Sequence, residues 1–308
     1  MKKVFLKMTN SQPFYFRTHI MLIAFLALLT SGCSNDDNQP TITPEEPAVA
    51  ITEIADDIKE LIYFQGDEKA ATVLIAVPGG PSTVFATDVV DEFFPVLNPK
   101  NILTVTVHQA QTLDSTIVKS ADITLEQAVN YNAETIDMLD KVTSYFKNQG
   151  RAVYVLGFSF GAFVTQELIA KKGIDSADKY LIMTGRLDMN AVIWQGAAEG
   201  RNGFFENGVT PNVEPDPDPE VKERNLNRIS AGFSMNRYTQ LFSTISDLSS
   251  ITYIYGATDQ AVGSLTDNEV QFLASKNTTI IAGSGDHGAT LENLIVQGFK
   301  DAFGIDLK

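Results

Sequence analysis

Short runs of apolar, mainly β-branched residues alternate along the chain with longer segments in which apolar residues recur every three or four positions. The short runs have the length of buried strands, and the longer segments have the period of helices that cover a sheet. This alternation predicts an α/β protein with a mostly parallel sheet and helices on both faces. The predicted strands are residues 60–65, 71–77, 102–107, 153–156, 180–183, 251–255 and 278–282.

Turn and cap signals refine this pattern. A turn-like Gly-Asp-Glu at 66–68 predicts that the first two strands pair as antiparallel neighbours. Two capping boxes, Thr124 with Gln127 and Thr266 with Glu269, predict helix starts. The expected helices cover residues 85–94, the stretch from Thr124 to Phe146, the stretch before Gly173, the stretch after Thr266, and residues 291–299.

The segment between the fifth and sixth predicted strands, residues 187–249, has no strand character. It contains more aromatic residues than a solvated loop needs, so we expect most of them to pack on the core and the rest to line an apolar pocket. Residues 211–220 are rich in proline and acids and predict an exposed loop. Asp216 and Asp218 alternate there but lack the spacing and the glycine of an EF-hand, so we expect no metal.

Residues 1–32 predict a secretory signal. Four basic residues precede an apolar run over 20–29, which is shorter than the roughly 20 residues of a membrane span. The following LLTSGC resembles a bacterial lipobox, with Thr30 in place of the usual aliphatic residue. This resemblance implies that Cys33 is lipidated; ordinary cleavage that leaves a free thiol is the alternative.

Residues 33–50 predict a disordered tether, because they are rich in acids and prolines and lack apolar periodicity. Acids directly after Cys33 also resemble a signal that carries some lipoproteins to the cell surface. We therefore expect a membrane-anchored lipoprotein of the cell envelope, in the outer membrane, facing either the periplasm or the exterior. Residues 51–308 are expected to form one domain.

Charge and cysteine content exclude some functions. The formal net charge is −15, and removal of the basic signal makes the chain more acidic still, so nucleic acid is not an expected partner. The chain has 1 cysteine, which excludes an intrachain disulfide.

The sequence around Ser159 predicts a nucleophile on a sharp turn. The apolar run 153–156 enters Gly157-Phe158-Ser159-Phe160-Gly161, and a helical pattern that ends at Gly173 follows. Glycines beside the serine let the strand and the helix approach closely, and the unpaired amides at the helix start can stabilise negative charge on a substrate oxygen.

The order of elements and this motif resemble the α/β-hydrolase superfamily from Glu60 to the C-terminus, with the turn after the fifth strand of that fold. The resemblance implies a triad in the order serine, acid, histidine, and a lid over 187–249. His287, directly after the last strand, is the expected base, while His108 is expected to line the pocket or to pack. Asp259 is the expected acid and Asp188 its rival; Asp286 is not expected to reach the correct side of the ring.

Two backbone amides are expected to hold the oxyanion. One is the amide of Phe160, directly after the serine. The other comes from Pro78-Gly79-Gly80-Pro81, which resembles the H-G-G-P loop of the superfamily; because Pro81 has no N–H, Gly80 is the expected donor. The alternative is that this segment is simply a tight turn.

These residues predict a serine hydrolase that acts through an acyl-enzyme, without a cofactor or metal, on a small-molecule or glycan or lipid ester. Two alternatives remain open at the level of sequence. The Gly79-Gly80-Pro81 stretch also resembles the H-G-G-P loop of proline iminopeptidase-like enzymes, which leaves a peptidase as an alternative. A non-catalytic surface binding protein that kept the fold is the second alternative.

Overall fold

The sheet has seven strands in the order β1-β3-β2-β4-β5-β8-β9 in the computed structural model, which describes residues 51–307. Only β1 is antiparallel to its neighbour within this sheet, which confirms the mostly parallel prediction. The strands are β1 Ile62–Gln65, β2 Thr72–Val77, β3 Ile102–Val107, β4 Ala152–Phe158, β5 Lys179–Met183, β6 Gly203–Glu206, β7 Thr210–Val213, β8 Ile251–Gly256 and β9 Thr279–Gly283.

The helices cover both faces of this sheet. The helices are α1 Asp56–Lys59, α2 Asp88–Leu97, α3 Ala110–Leu113, α4 Thr116–Lys119, α5 Leu125–Asn148, α6 Phe160–Lys172, α7 Ala191–Ala198, α8 Val221–Ser234, α9 Tyr238–Leu241, α10 Asp267–Ser275 and α11 His287–Phe303. Both predicted capping boxes are present, at the starts of α5 and α10. The helix expected over 85–94 begins only at Asp88, because Phe85 belongs to the preceding loop.

Two large apolar clusters lie on the two sides of the sheet. Residues of α5 and α6, among them Ile136, Phe146 and Leu168, pack on one side, and Phe299 and Phe303 of α11 pack on the other. Burial of this apolar surface is the dominant favourable term for folding, since each fully buried large side chain contributes about 1.5–3 kcal/mol. Val129, an apolar residue near the start of α5, is 39% exposed and does not join this core.

The first strand pairs differently from the prediction. β1 is antiparallel to β3, with Ile62 opposite Val107, and it does not pair with β2. β2 already has parallel partners on both sides, β3 and β4, so both of its hydrogen-bonding edges are occupied. The turn with Ser159 follows β4, the fourth strand of the described residues.

The segment between β5 and β8 contains a hairpin, so the expectation that it lacks strands was wrong. β6 and β7 pair around Asn207 and Gly208, which both have positive φ angles. An Asn-Gly pair between apolar runs is a strong hairpin signal, and it was present in the sequence. The exposed loop expected over 211–220 is correspondingly shorter, because Pro211 to Val213 belong to β7.

Helix α8 is held to the rest of the domain by Asn225, whose side chain is completely buried. Its carbonyl oxygen accepts a hydrogen bond from the amide of Ile123 at 3.0 Å, and its Nδ2 donates to the carbonyls of Val118 and Ala121 at 2.9 and 2.6 Å. Arg224 and Arg228 add contacts to Asp122 on the surface. These polar contacts therefore fix α8 to α4 and to the loop that precedes α5.

Candidate active site

Ser159 lies on a sharp turn between β4 and α6. Its φ and ψ angles are 55° and −120°, a conformation that costs a non-glycine residue free energy and that is found at nucleophile turns. Its amide donates to the Met183 carbonyl at 3.0 Å and to the Thr184 Oγ1 at 3.2 Å. The turn is thereby attached to the end of β5 and presents the serine at the carboxyl edge of the sheet.

The two glycines of the motif allow the strand and helix to meet. A Cβ on Gly161 would lie 2.0 Å from the carbonyl oxygen of Val77, and a Cβ on Gly157 would lie 2.2 Å from Thr165 Oγ1. Both distances are far inside van der Waals contact. The steric role expected from the sequence is therefore present in the structure.

The structure brings Ser159, His287 and Asp259 together. His287 Nε2 lies 2.9 Å from Ser159 Oγ, and His287 Nδ1 lies 2.7 Å from Asp259 Oδ2. The other carboxylate oxygen, Oδ1, accepts hydrogen bonds from the amides of Ala261 and Val262 at 2.8 and 3.0 Å. Asp259 is completely buried and His287 is 5% exposed, so their contact is shielded from bulk water, while Ser159 is half-buried.

Two loops hold this arrangement by backbone hydrogen bonds. The amides of Ala257 and Thr258 donate to the carbonyls of Gly283 and Gly285, which joins the loop after β8 to the loop after β9. His287 is the first residue of α11, and Asp286 caps that helix by accepting from the amide of Ala289 at 2.9 Å. The Asp286 carboxylate is therefore used within its own helix and makes no described contact with the His287 ring.

The rival acid is occupied elsewhere. Asp188 Oδ2 accepts from Thr239 Oγ1 at 2.6 Å and forms an ion pair with Arg237 at 3.1 Å. It makes no described contact with His287, whose Nδ1 already binds Asp259.

His108 packs against the loop after β2. Its ring stacks on Phe85 with centroids 3.5 Å apart, and its Nδ1 lies 3.0 Å from Thr112 Oγ1. Burial disfavours the charged imidazolium and lowers the pKa of His108. The structure gives His108 no hydrogen bond to Ser159.

The Gly79-Gly80 loop lies directly beside the serine. A Cβ on Gly79 would be 3.2 Å from the Cβ of Ser159, and Gly80 has a φ of 145° before a cis peptide bond to Pro81. Phe160 is the first residue of α6, where an amide has no acceptor within its own helix. The two predicted donors therefore lie next to Ser159, one in the following residue and one in the adjacent loop.

Other predictions fall on residues or features away from this site. Among the described residues, no group of three or more His, Cys, Asp or Glu side chains is arranged to hold a metal ion. No helix within 51–307 is both long enough and apolar enough to span a bilayer. The signal over 1–32, Cys33 and the tether over 33–50 lie outside the described residues.

Sequence reasoning missed two contributors to the site geometry. Thr184 binds the amide of Ser159 from the end of the neighbouring strand, and its own φ is 47°. The amides of Ala261 and Val262 orient the acid. A threonine after a strand and two apolar residues after an aspartate carry no side-chain signal that would have indicated these roles.

The chain matches no protein-family model and no curated protein. Solved structures do resemble it in fold. MGS-M2, an α/β-hydrolase enzyme from a Medee basin deep-sea metagenome library, is 13% identical with a TM-score of 0.53, over 79% of this chain and 94% of that chain. Est1E from Butyrivibrio proteoclasticus, with bound ferulic acid, is 14% identical with a TM-score of 0.48, over 78% and 92%.

A third structure, the 2-hydroxy-6-oxo-6-phenylhexa-2,4-dienoate hydrolase of Rhodococcus sp. strain RHA1, is 13% identical with a TM-score of 0.45, over 78% of this chain and 94% of that chain. Together with the strand order and the turn at Ser159, the resemblance to MGS-M2 defines the class: this protein has the α/β-hydrolase fold. At such low identities the likeness concerns the fold, and the chemistry is argued from the site itself.

Proposed function

We propose that this protein is a serine hydrolase that cleaves carboxylic esters through an acyl-enzyme. The proposal depends on one observation above all, the continuous contact from Ser159 Oγ to His287 Nε2 and from His287 Nδ1 to Asp259. This arrangement matches the roles of nucleophile, base and orienting acid.

The proposed reaction has two halves. Ser159 Oγ attacks the ester carbonyl carbon while His287 Nε2 takes the serine proton, and the amides of Phe160 and Gly80 stabilise the oxyanion. Collapse of the tetrahedral intermediate breaks the bond to the leaving alcohol, which receives the proton from His287. Water then attacks the acyl-enzyme, gives its proton to His287, and the acid product leaves as Ser159 recovers the proton.

Asp259 acts through His287 in this scheme. Its Oδ1 is held by two amides, so its Oδ2 is fixed toward Nδ1 and selects the tautomer in which Nε2 accepts the serine proton. The carboxylate also stabilises the imidazolium that forms during attack.

The choice of an ester over a peptide rests on the acids near the insertion. An aminopeptidase has to bind a substrate ammonium with carboxylates that are free to face it. In the insertion, Glu214 and Asp218 both lie near Asn202 Nδ2, at 3.2 and 3.3 Å, and Asp188 binds Arg237 and Thr239. These acids therefore have partners within the protein, which favours an uncharged acyl group.

We further propose that residues 187–249 act as a fixed cover that supports the acid loop. The hairpin contributes the supporting contacts: the amide of Phe205 donates to the Gln260 carbonyl at 2.8 Å, and the amide of Ser264 donates to the Gly208 carbonyl at 2.7 Å. A Cβ on Gly208 would lie 2.7 Å from the Ala257 carbonyl oxygen. Gly208→Ala should therefore lower kcat on an ester, and an unchanged kcat would contradict the supporting role.

Labelling with a fluorophosphonate probe tests the catalytic proposal. The wild type should form a covalent adduct at Ser159, and Ser159→Ala should form none, with the fold of the variant checked by circular dichroism. Failure of the folded wild type to react would leave the non-catalytic binding protein as the better interpretation.

Substrate class is tested separately, with short-chain p-nitrophenyl esters and aminoacyl p-nitroanilides. We expect kcat/KM to be at least about tenfold higher for the esters, a difference of about 1.4 kcal/mol in transition-state binding. Equal or faster cleavage of a prolyl or alanyl anilide would show a peptidase while leaving the triad in place.

A further inference from the structure

A cavity of about 530 Å³ lies between the β5–α7 connection, the Arg237–Thr239 segment and the start of α10. Its lining includes Arg186, Arg237 and Phe272, and it includes none of Ser159, His287 and Asp259. The volume lies within the range of about 300–1,000 Å³ that is typical of small-molecule sites. It is therefore large enough for a small organic ligand.

Arg186 is the most informative residue of this cavity. Its side chain is only 8% exposed, and within the described residues its buried Nε has no hydrogen-bond partner. Its guanidinium lies over the ring of Phe205, 5.1 Å from the centroid, and its Nε lies 3.6 Å from Glu269 Oε2, beyond hydrogen-bonding distance. This Nε is itself shielded from solvent, so an occupant of the cavity would contact Arg186 through the part of its side chain that lines the cavity.

The two carboxylates of the cavity accept hydrogen bonds from other groups of the protein. Glu269 Oε1 accepts from the amide of Asp188 at 2.8 Å, and its Oε2 accepts from the amide and the hydroxyl of Thr266, both at 2.8 Å. Asp188 accepts from the hydroxyl of Thr239 at 2.6 Å and from its amide at 3.2 Å. These acids therefore have hydrogen-bond donors of their own in addition to the two arginines.

Arg237 provides a second cation on the cavity wall. Its side chain is 52% exposed, and it contacts Asp188 through one terminal nitrogen at 3.1 Å. Guanidinium groups have five donors in a fork that fits carboxylate and phosphate oxygens. Two guanidinium groups on the wall of one cavity favour a ligand with an anionic head group, and Met189 and Phe272 supply apolar wall for its body.

We propose that this cavity binds a small organic anion whose carboxylate or phosphate group contacts Arg186 and Arg237. The site is separate from the Ser159 site and does not depend on hydrolase activity. Carboxylic acids and phosphate esters both carry anionic oxygens that can bind guanidinium groups. The relative affinities of one compound of each class therefore show which class the cavity prefers.

Isothermal titration calorimetry on the full chain tests this site with three matched probes, 3-phenylpropanoate, phenyl phosphate and the neutral 3-phenylpropanamide. At least one anion should bind in the millimolar range or tighter, and the amide should bind at least about tenfold more weakly. A preference for 3-phenylpropanoate assigns the site to carboxylic acids, and a preference for phenyl phosphate assigns it to phosphorylated ligands.

Three variants locate the binding. Arg237→Gln, at a half-exposed side chain, should weaken anion binding by about tenfold. Ala191→Trp should fill the cavity from its exposed rim and abolish binding. Arg186→Lys should weaken binding by removing the fork while keeping the charge.

If Arg186→Lys does not fold, the other two variants decide the result. The proposal is overturned by three outcomes: no anion binding up to about 10 mM, equal binding of the amide, or anion binding that persists unchanged in both Arg237→Gln and Ala191→Trp.

Discussion

Asp259 contacts His287 with only one of its two carboxylate oxygens, because the other is held by the amides of Ala261 and Val262. This division fixes the carboxylate plane, so the histidine receives an oriented acceptor at 2.7 Å. The catalytic proposal assigns the acid role to Asp259 on this basis, and Asp188 has its own separate partners.

Asp259→Asn should lower kcat on a p-nitrophenyl ester by roughly 10³- to 10⁴-fold, because an amide cannot stabilise the imidazolium and favours the wrong tautomer. Asp188→Asn is the matched control, with the same change of charge at the rival position, and its kcat should stay within about threefold of wild type. Steady-state kinetics measure both. If Asp188→Asn loses the activity and Asp259→Asn keeps it, the acid has been misassigned.

Gly161→Ala should destabilise the fold by about 3 kcal/mol or more, because the added Cβ would lie 2.0 Å from the carbonyl oxygen of Val77, a backbone atom. Gly150→Ala is the control: its φ is 71°, and a Cβ there meets nothing within 4 Å, so the cost should be only about 1–2 kcal/mol. Urea unfolding measures both free energies. Equal costs would show that the close approach at the turn is easily relieved.

Glu167 on α6 should make stability depend on pH. Burial raises the pKa of this carboxyl, although Asn236 and Tyr238 donate hydrogen bonds to its Oε2 at 2.8 and 3.1 Å. The folded state therefore holds the proton more strongly than the unfolded chain, and stability from this group is lost as pH rises above the unfolded pKa of about 4.3.

Glu167→Gln removes that titration, so its free energy of unfolding relative to wild type should increase from about pH 4 to pH 7. Urea unfolding at the two pH values measures the difference, with the exposed Glu126→Gln as the control. A relative stability of Glu167→Gln that does not change with pH would contradict the burial effect.

Cys33 lies outside the described residues, and its lipidation remains a proposal. Cys33→Ser should move the protein from the membrane fraction to the soluble fraction, since a lipid chain contributes about 0.8 kcal/mol for each buried methylene. Its kcat on a soluble ester should not change. Unaltered membrane retention of the serine variant would rule out the lipid anchor.

The sequence predicted most of the fold because its signals are local. Strand runs, the two capping boxes and the glycines around Ser159 each depend on neighbouring residues, and the structure has all of them. The pairing of β1 with β3 depends on which edges remain free once the other strands pair, which no local signal contains. The Asn207-Gly208 hairpin was locally encoded and was overlooked.

For the candidate site too, the sequence predicted the features that have a local motif and missed those that depend on backbone contacts or on distant segments. Ser159, Asp259 and His287 were predicted from motifs and chain order, and the structure brings their side chains within hydrogen-bonding distance. The amides of Ala261 and Val262 act through the backbone, so their side chains give no indication of this contact. The cavity beside Arg186 depends on distant segments packing together, and a single arginine in a sequence does not reveal whether it will lack a partner.

The three hydrogen bonds that join Asn225 to Val118, Ala121 and Ile123 determine how the hydrolysis rate should respond when the substrate forms micelles. If a helix had to move away before the substrate could bind, micelles of the ester could stabilise the open position. The hydrolysis rate would then increase sharply once micelles form. Displacing α8 would leave the buried amide of Ile123 and the buried carbonyl of Val118 without partners, at a cost of about 1–3 kcal/mol each. The rate on a long-chain p-nitrophenyl ester should therefore saturate smoothly through its critical micelle concentration; a sharp rise there would mean that α8 opens.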